Sequence, residues 1–268
     1  MPLRARLVVI GWVCAYLALS ASLVRAAYAC APAWVSVAIA AMLLAITAVI
    51  LDALHPRVSL FMASINRVPQ DVGGSTIALS FDDGPVQPYT AQILEILDRY
   101  GVKASFFCIG DNVCRNPDLA KEILRRGHTL GNHTQTHRTL SLADAATVAG
   151  EVDAAQANIR HNCEVEPTYF RCPKGYKSAI VARVLRRRRL RLVGYSYPIW
   201  DVQNPPPAEL VKRVLDRARP GDIIVMHDGY PGNKPGRRDH LVAALPRIVE
   251  GLLDKGLRPV SLDQALSP

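Results

Sequence analysis

The sequence predicts an α/β fold: a distorted (β/α)7-type barrel preceded by two N-terminal transmembrane helices. From Thr76 onward, short apolar runs alternate with helical patterns, and about seven such units follow one another. Before them lie two long uncharged stretches. Alternating strands and helices imply parallel pairing in a closed or nearly closed barrel. In such a barrel, reactive side chains collect at the carboxyl ends of the strands.

Two apolar stretches near the N-terminus, residues 7–24 and 26–51, are separated by Arg25. Each can supply the roughly 20 apolar residues that a membrane-spanning helix needs. We therefore predict transmembrane helices over about residues 7–24 and 32–51. A signal peptide cleaved after Ala29 is the alternative interpretation.

Basic residues on either side of these stretches indicate how the predicted helices would be oriented in the membrane. Arg4 and Arg6 favour a cytoplasmic N-terminus, and Arg57 and Arg67 follow the second stretch. This pattern predicts a multi-pass protein of the inner cell membrane with its large domain on the cytoplasmic face. Arg25, in the outer loop, opposes that orientation, and insertion of a single segment would place the domain outside.

The chain divides into residues 1–54 with the two helices, a linker over 55–75 that mixes Pro, Gly and Asn, and a catalytic domain over 76–268. Glycines after the patterns, such as Gly101 and Gly127, are typical helix stops. Strands are expected at 76–79, 104–109, 128–132, 169–171, 191–195, 223–226 and 258–261. Helices are expected at 89–100, 117–126, 141–160, 178–188, 207–217 and 239–255.

Charge and cysteine content exclude little. The net charge is +9, and none of the six cysteines forms a Cys-x-x-Cys pair, so a structural zinc knuckle is not expected. The arginine tract 186–189 lacks interleaved aromatic residues, so we interpret it as a solvated helix end rather than a nucleic-acid site. Contact with anionic lipid headgroups is the other alternative.

Adjacent carboxylates, Asp82 and Asp83, follow the first strand and precede Gly84-Pro85. Like charges so close resist joint ionisation unless something binds them. Neighbours on a regular strand face opposite sides, but where the strand becomes a turn both can reach one ligand. One carboxylate could then hold a cation while the other accepts a proton. The alternative is a solvated turn.

Histidines follow the third strand at His133 and His137. Two histidines four apart fall on one side of a helical turn, a common arrangement for presenting two imidazoles to one metal. Zinc accepts histidine nitrogen and carboxylate oxygen together, and one aspartate with two histidines would leave positions for water and substrate. A surface pair is the alternative.

Three further strands end in polar residues: Arg171, Asp201 and His227. A histidine after four apolar residues suits a proton donor, because burial and a carboxylate partner tune its pKa. Each residue alone has a structural interpretation, as a surface ion pair, a helix cap or a core histidine. Their occurrence at successive strand ends favours a shared site.

These segments, namely 76–85, 133–137, 171–175, Asp201 and 224–227, resemble the five ordered motifs of the NodB-type polysaccharide deacetylases, carbohydrate esterase family 4. The resemblance extends over about 76–266. It implies that Asp83, His133 and His137 hold a divalent metal, usually zinc, with cobalt or manganese possible. It also implies that Asp82 is the general base.

The resemblance further implies that Arg171 orients Asp82 and that His227, paired with Asp201, is the general acid. The backbone amide of Lys174 would help to bind the oxyanion. Two departures stand out: the family usually has an aromatic residue at the position of Lys174, and often a tryptophan at that of Val202. The lysine predicts a reshaped substrate groove that favours an anionic substrate.

The function implied is metal-dependent removal of an N-acetyl group from an amino sugar, in a polysaccharide or on a lipid carrier. Its partners would be an N-acylated amino-sugar glycan and membrane lipids, without nucleic acid or an obligate protein partner. Two alternatives remain at this point: a deformylase of a lipid-linked formamido sugar, and a non-catalytic carbohydrate-binding relic of the fold.

Overall fold

The computed structural model describes residues 15–16, 18–23, 25, 32–54, 62–70, 74–231 and 236–266. The chain divides into two compact units, Met1–Asp52 and Ala53–Pro268.

The first unit contains most of helix α1 (Ala33–Leu54). Tyr16 donates a hydrogen bond from its hydroxyl to the carbonyl of Leu43 at 3.2 Å, and this hydroxyl lies 3.1 Å from the Thr47 hydroxyl. Thr47 in turn donates to the Leu43 carbonyl. Polar contacts therefore connect the two apolar stretches within this unit.

Within the part of the chain that the structure describes, no helix combines the length and apolar character needed to cross a membrane. The predicted pair of transmembrane helices over 7–24 and 32–51 is therefore wrong, and so is the multi-pass membrane location. Membrane lipids as partners lose their basis. The prediction equated an uncharged run with a spanning helix, although such a run can hold polar residues such as Ser36 and Thr47. Residues 7–14, 17 and 24 of the first stretch lie outside the described residues.

The second unit is built on a parallel sheet. Its strands are β1 (Thr76–Asp82), β2 (Ser105–Cys108), β3 (Thr129–Asn132), β4 (Tyr169–Phe170), β5 (Arg191–Leu192), β6 (Ile223–His227) and β7 (Arg258–Val260). They are hydrogen-bonded in the order β5-β4-β3-β2-β1-β6, and β7 pairs with the start of β1. Every residue of β1 is buried. Burial on both faces explains why this central parallel strand is almost continuously apolar up to its end.

Helices connect successive strands. They are α2 (Tyr89–Arg99), α3 (Gly110–Arg115), α4 (Pro117–Arg125), α5 (Ala145–Cys163), α6 (Ala179–Arg187), α7 (Pro207–Leu215), α8 (Asp239–Asp254) and α9 (Leu262–Leu266). Helix α5 begins after Asp144, whose carboxylate accepts a hydrogen bond from the Thr147 amide. The predicted start at residue 141 is therefore too early, because Asp144 is itself the N-cap.

The sheet forms a half-barrel rather than the closed or nearly closed (β/α)7-type barrel that the number of units predicts. Strands β4 and β5 have only two residues each, and single bridges extend the pairing beyond them. One bridge joins Tyr197 to Ile224 of β6, and another joins Ile65 to Val193. The carboxyl ends of the strands nevertheless meet at one edge of the sheet, as parallel pairing requires.

Candidate active site

Both carboxylates at the end of β1 reach the same small region. Asp82 is the last residue of the strand, and Asp83 has a φ of +76°. This left-handed conformation breaks the alternation of the strand, so neighbouring side chains no longer face opposite sides. Nε2 of His133 lies 3.9 Å from Asp82 Oδ2 and 3.5 Å from Asp83 Oδ1.

The two histidines are brought together by a loop and not by the helical turn that their spacing suggested. His133 directly follows β3, and the backbone has positive φ at Thr134 and His137. The Thr134 hydroxyl accepts a hydrogen bond from the His137 amide at 3.0 Å, which stabilises the loop. Nε2 of His137 lies 3.2 Å from Asp83 Oδ1, and the imidazole centroids are 5.0 Å apart.

Asp83, His133 and His137 offer ligand atoms that all lie within 4.8 Å of one another. Among the described residues, Asp83 Oδ1 is buried without a hydrogen-bond partner. Nδ1 of His133 is 2.8 Å from the carbonyl of Arg171, so its proton can be donated there while Nε2 keeps a free lone pair. An unsatisfied carboxylate oxygen beside imidazole nitrogens fits a divalent cation such as zinc.

The protonation states agree with this fit. Burial alone would raise the pKa of Asp83. His133, His227 and His137 together lower this pKa by more than burial raises it, so the net pKa is well below its usual value. Burial lowers the pKa of His137 to about 4, although Asp83 partly opposes this change. At neutral pH the carboxylate is therefore ionised and the His137 imidazole is neutral, as metal coordination requires.

Arg171 holds the Asp82 side chain in place through a hydrogen bond. Its Nη1 donates to Asp82 Oδ1 at 2.7 Å and to the Ser80 hydroxyl at 2.9 Å, and its Nη2 donates to the Gly194 carbonyl at 2.8 Å. The guanidinium lies 4.0 Å from the centre of the Phe107 ring, and the arginine is only 1 % exposed. A buried charge of this kind requires a partner of opposite charge, and the hydrogen bond from Arg171 holds the Asp82 side chain in place.

Half-buried His227 and buried Asp201 form the second pair. Nδ1 of His227 is 2.9 Å from Asp201 Oδ1, and the His227 amide donates to Asp201 Oδ2 at 2.8 Å. Burial lowers the pKa of His227, but the charge and hydrogen bond of Asp201, together with the charges of Asp83 and Asp82, raise it to a net value of about 9. His227 also lies opposite Asp82 in the pairing of β1 with β6. An imidazolium therefore faces the same region as the carboxylates at neutral pH.

Lys174 is the predicted site residue whose side chain does not join this cluster. It lies in a short 3-10 turn with a φ of +59°, and it is exposed. Within the described part of the chain, no hydrogen bond or ion pair engages its ammonium group. The role of its backbone amide stays a prediction.

Two residues at the site were missed by the sequence reasoning. Asn112 in α3 donates from Nδ2 to the carbonyl of Asp83 at 2.7 Å. Asp228, fully buried, accepts a hydrogen bond from the Gly84 amide at 3.1 Å. Asp228 directly follows His227, and this adjacency was a usable signal. No pattern in the sequence distinguishes Asn112 from an ordinary surface asparagine.

Comparison with known proteins agrees with this geometry. Residues 70–193 match the polysaccharide deacetylase family model. The chain is 35% identical over 197 residues to a peptidoglycan-N-acetylglucosamine deacetylase of Bacillus cereus, covering 71% of this chain and 87% of that protein. It is 34% identical over 212 residues to a chitooligosaccharide deacetylase of Rhizobium leguminosarum bv. trifolii, covering 75% and 98%.

Solved structures show the same fold. A peptidoglycan N-acetylglucosamine deacetylase in complex with 4-naphthalen-1-yl-N-oxidanyl-benzamide superposes with a TM-score of 0.70 at 28% identity, covering 75% of this chain and 91% of that one. A CE4 family pseudoenzyme from Bacillus anthracis superposes with a TM-score of 0.69 at 23% identity, covering 76% and 69%, and at this identity it carries the fold alone. Identity of about a third over nearly the full length of curated relatives is the stronger finding, and by it this chain belongs to the polysaccharide deacetylase family.

Proposed function

We propose that the protein is a metal-dependent hydrolase that removes the N-acetyl group from N-acetylglucosamine units of a glycan. The observation that carries this proposal is the meeting of Asp83, His133 and His137 at one point, with Asp82 beside them. The similarity to deacetylases of chitooligosaccharide and peptidoglycan supports the substrate class.

Amide hydrolysis has three requirements that this site can meet. The carbonyl must be polarised, a water molecule must lose a proton as it attacks, and the departing nitrogen must gain one. Asp83, His133 and His137 would hold the cation, which supplies Lewis acidity to the carbonyl and to the attacking water.

Asp82 and His227 divide the proton transfers in this proposal. Asp82, held in place by Arg171, which donates to it at 2.7 Å, accepts the proton of the attacking water. His227, protonated because of Asp201, donates a proton to the nitrogen as the carbon–nitrogen bond breaks. The products are a free amine and acetic acid, which ionises to acetate. Asp82 is left protonated and His227 neutral, so Asp82 releases its proton and His227 takes one up, through solvent, before the next cycle.

The nature of the glycan is the finer part of the proposal. A soluble or cell-wall N-acetylglucosamine polymer is the better-supported substrate, since a lipid-linked glycan was inferred partly from transmembrane helices that the structure does not contain in its described residues. Lys174 stays exposed at this face and is compatible with an anionic substituent on the sugar.

The test is product analysis with the purified chain. We expect zinc- or cobalt-loaded protein to release acetate from N-acetylchitooligosaccharides, and chelation of the metal to abolish this release. Asp82→Asn should lower kcat by about 10²-fold or more while the fold and metal content persist, because it removes the proton acceptor and not a ligand.

A panel of substrates distinguishes the alternatives. Release of formate from a formamido sugar, without acetate from any acetylated one, would identify a deformylase. Activity on a polyprenyl-linked sugar alone would restore the lipid-linked substrate. Glycan binding without hydrolysis of any amide, unchanged by Asp82→Asn, would contradict the proposal in favour of a non-catalytic relic.

A further inference from the structure

One peptide group at the site is held from both of its ends by buried side chains. The carbonyl of Asp83 accepts a hydrogen bond from Asn112 Nδ2 at 2.7 Å. The amide of the next residue, Gly84, donates to Asp228 Oδ1 at 3.1 Å. Asn112 is 2 % exposed and Asp228 is fully buried. The orientation of the Asp83–Gly84 peptide is therefore fixed by Asn112 and Asp228, two residues to which the sequence analysis assigns no role.

This peptide needs such support because of its conformation. A φ of +76° at Asp83 is sparsely populated for a residue with a side chain, and it persists only where the surroundings impose it. The same conformation turns the Asp83 carboxylate towards His133 and His137, at 3.5 and 3.2 Å. The orientation of the peptide and the position of the carboxylate are thus one geometric property.

The two supporting side chains are themselves anchored. Thr90 of α2 donates from its hydroxyl to Asp228 Oδ2 at 2.5 Å. Arg115 donates to Asn112 Oδ1 at 2.8 Å, which assigns the amide so that its nitrogen faces Asp83. Asn112 also donates to the Tyr230 carbonyl at 3.2 Å.

Packing around the peptide leaves no room for another arrangement. A Cβ on Gly84 would lie 2.0 Å from Asp228 Oδ2, and a Cβ on Gly229 would lie 2.3 Å from the Asp83 carbonyl. Contacts this short are not tolerated, so both positions require glycine. Asp228 and Gly229 directly follow His227, and the segment that carries this histidine therefore also supports the Asp83 turn.

We propose that Asp228 and Asn112 are positioning residues that hold the Asp83–Gly84 peptide in the one orientation that makes Asp83 a metal ligand. This inference rests on the proposed metal-dependent function. Neither residue touches the reacting atoms. Their contribution is to keep the carboxylate in place before the cation binds, so their loss weakens metal binding itself.

The experiment measures the affinity of the metal-free chain for zinc or cobalt, by competition with a chelator and by calorimetry. We expect Asp228→Ala and Asn112→Ala each to weaken metal binding by about 10- to 100-fold, the usual effect of losing a residue that orients a ligand. Asp228→Asn keeps an oxygen for the Gly84 amide and should recover most of the affinity. Asn112→Asp, which replaces the donor by an oxygen, should not.

A matched control is Asn116→Ala. Asn116 donates to the Pro85 carbonyl at 3.1 Å, two residues beyond Asp83, without contacting the held peptide. It should lower the melting temperature somewhat and leave metal affinity unchanged. The double variant Asn112→Ala/Asp228→Ala should lose less than the product of the two single effects, because both residues hold the same peptide group.

These measurements distinguish failure of the positioning role from failure of the proposed function. If Asp228→Ala and Asn112→Ala lose only thermal stability and bind metal as the unmodified chain does, the positioning role is overturned. Should Asp228→Ala fail to fold, Asn112→Ala and the nearly isosteric Thr90→Val carry the same test. If the unmodified chain binds no metal and releases no acetate, the proposed function fails, and this inference fails with it.

Discussion

At the scale of single residues, the site divides its charges between separate partners. Asp82 is paired with Arg171, Asp83 faces His133 and His137, and these neighbouring carboxylates therefore have different chemistry. Coulomb repulsion between them is offset because each has its own cationic or imidazole neighbour.

The pKa of His227 gives a prediction for the pH dependence of the reaction. The protonated imidazole is the competent form of a general acid, so it is present below its pKa of about 9 and lost above it. We expect kcat/KM, which reports the ionisation of the free enzyme, to fall as the pH rises through that value. In Asp201→Asn burial still lowers the pKa while its main opposing partner is gone, so the alkaline limb should move down by at least one pH unit. The measurement is the pH profile of kcat/KM in both proteins.

Asp153→Asn is the control for this profile. Asp153 is an exposed aspartate of α5 paired with Arg188, so Asp153→Asn removes the same charge from a residue whose ion pair does not involve His227 or Asp201. Its alkaline limb should coincide with that of the unmodified chain. An Asp201→Asn profile with an unmoved limb would contradict the assignment of His227 as the acid.

A site residue could be predicted from the sequence when it lies on an element whose position in the fold could be predicted. Asp82, Asp83, Arg171 and His227 lie at or next to strand ends, and parallel pairing alone brings strand ends together. Asn112 enters from a short helix that the sequence pattern did not predict, and its contact is with backbone. Periodicity carries no information on such contacts.

At the scale of elements, the sheet depends on close approach between its strands. Strand β3 contains Gly131, where an added Cβ would lie 2.7 Å from the Phe107 ring and 3.3 Å from the Tyr169 carbonyl. The glycine thus lets the ring of Phe107, which also lies under Arg171, pack against β3.

Substitution of this glycine should disturb both packing and site. We expect Gly131→Ala to destabilise the fold by about 1–3 kcal/mol, the usual cost of overpacking a core. Chemical denaturation measures this loss.

The comparison variant is Gly150→Ala in helix α5, where an added Cβ meets nothing within 4 Å. There the alanine should stabilise by about 0.5–1 kcal/mol, since glycine is a poor helix former. Equal effects from both substitutions would show that the contact at Gly131 is unimportant.

The elements themselves were largely predictable where periodicity is strong. The pattern with Ile93 and Leu97 predicts α2 to within one residue at its end, because its apolar face packs on the core. The short strands β4 and β5 were predicted too long, because their pairing ends where the chain turns near Gly194 to meet other partners. The prediction of membrane spans near the N-terminus is wrong for a different reason, because an uncharged composition alone does not determine the length and apolar character of a helix.

At the scale of the whole domain, one buried histidine links stability to pH. His128 is 4 % exposed and accepts a hydrogen bond from the Ala104 amide through Nδ1, and its ring packs edge-on against Phe106. Burial, with a smaller contribution from the charge of Lys103, lowers its pKa to about 4. The folded state therefore keeps this imidazole neutral.

The lowered pKa of His128 determines the direction in which the stability of the domain changes with pH. Because the folded pKa is depressed below the unfolded value of about 6.5, the unfolded chain binds a proton first as the pH falls. Stability should decline between about pH 6.5 and 4, with a slope of up to about 1.4 kcal/mol per pH unit from this group. His128→Asn, which can still accept from Ala104, should be less stable at pH 8 yet lose less on acidification. Denaturation at pH 8, 6.5 and 5 measures both, and parallel losses in the two proteins would contradict the role of His128.

The stretch before the first strand is part of the domain's construction. Ile65 bridges to Val193, and its carbonyl accepts a hydrogen bond from the Gly194 amide, while the Gly194 carbonyl accepts from Arg171. A polypeptide shortened to begin at Thr76 would thus lack Ile65, which contacts the segment whose Gly194 carbonyl binds Arg171, the arginine that orients Asp82. For anyone choosing where to cut this chain for expression, the boundary belongs upstream of Met62, although the recognisable motifs begin fourteen positions later.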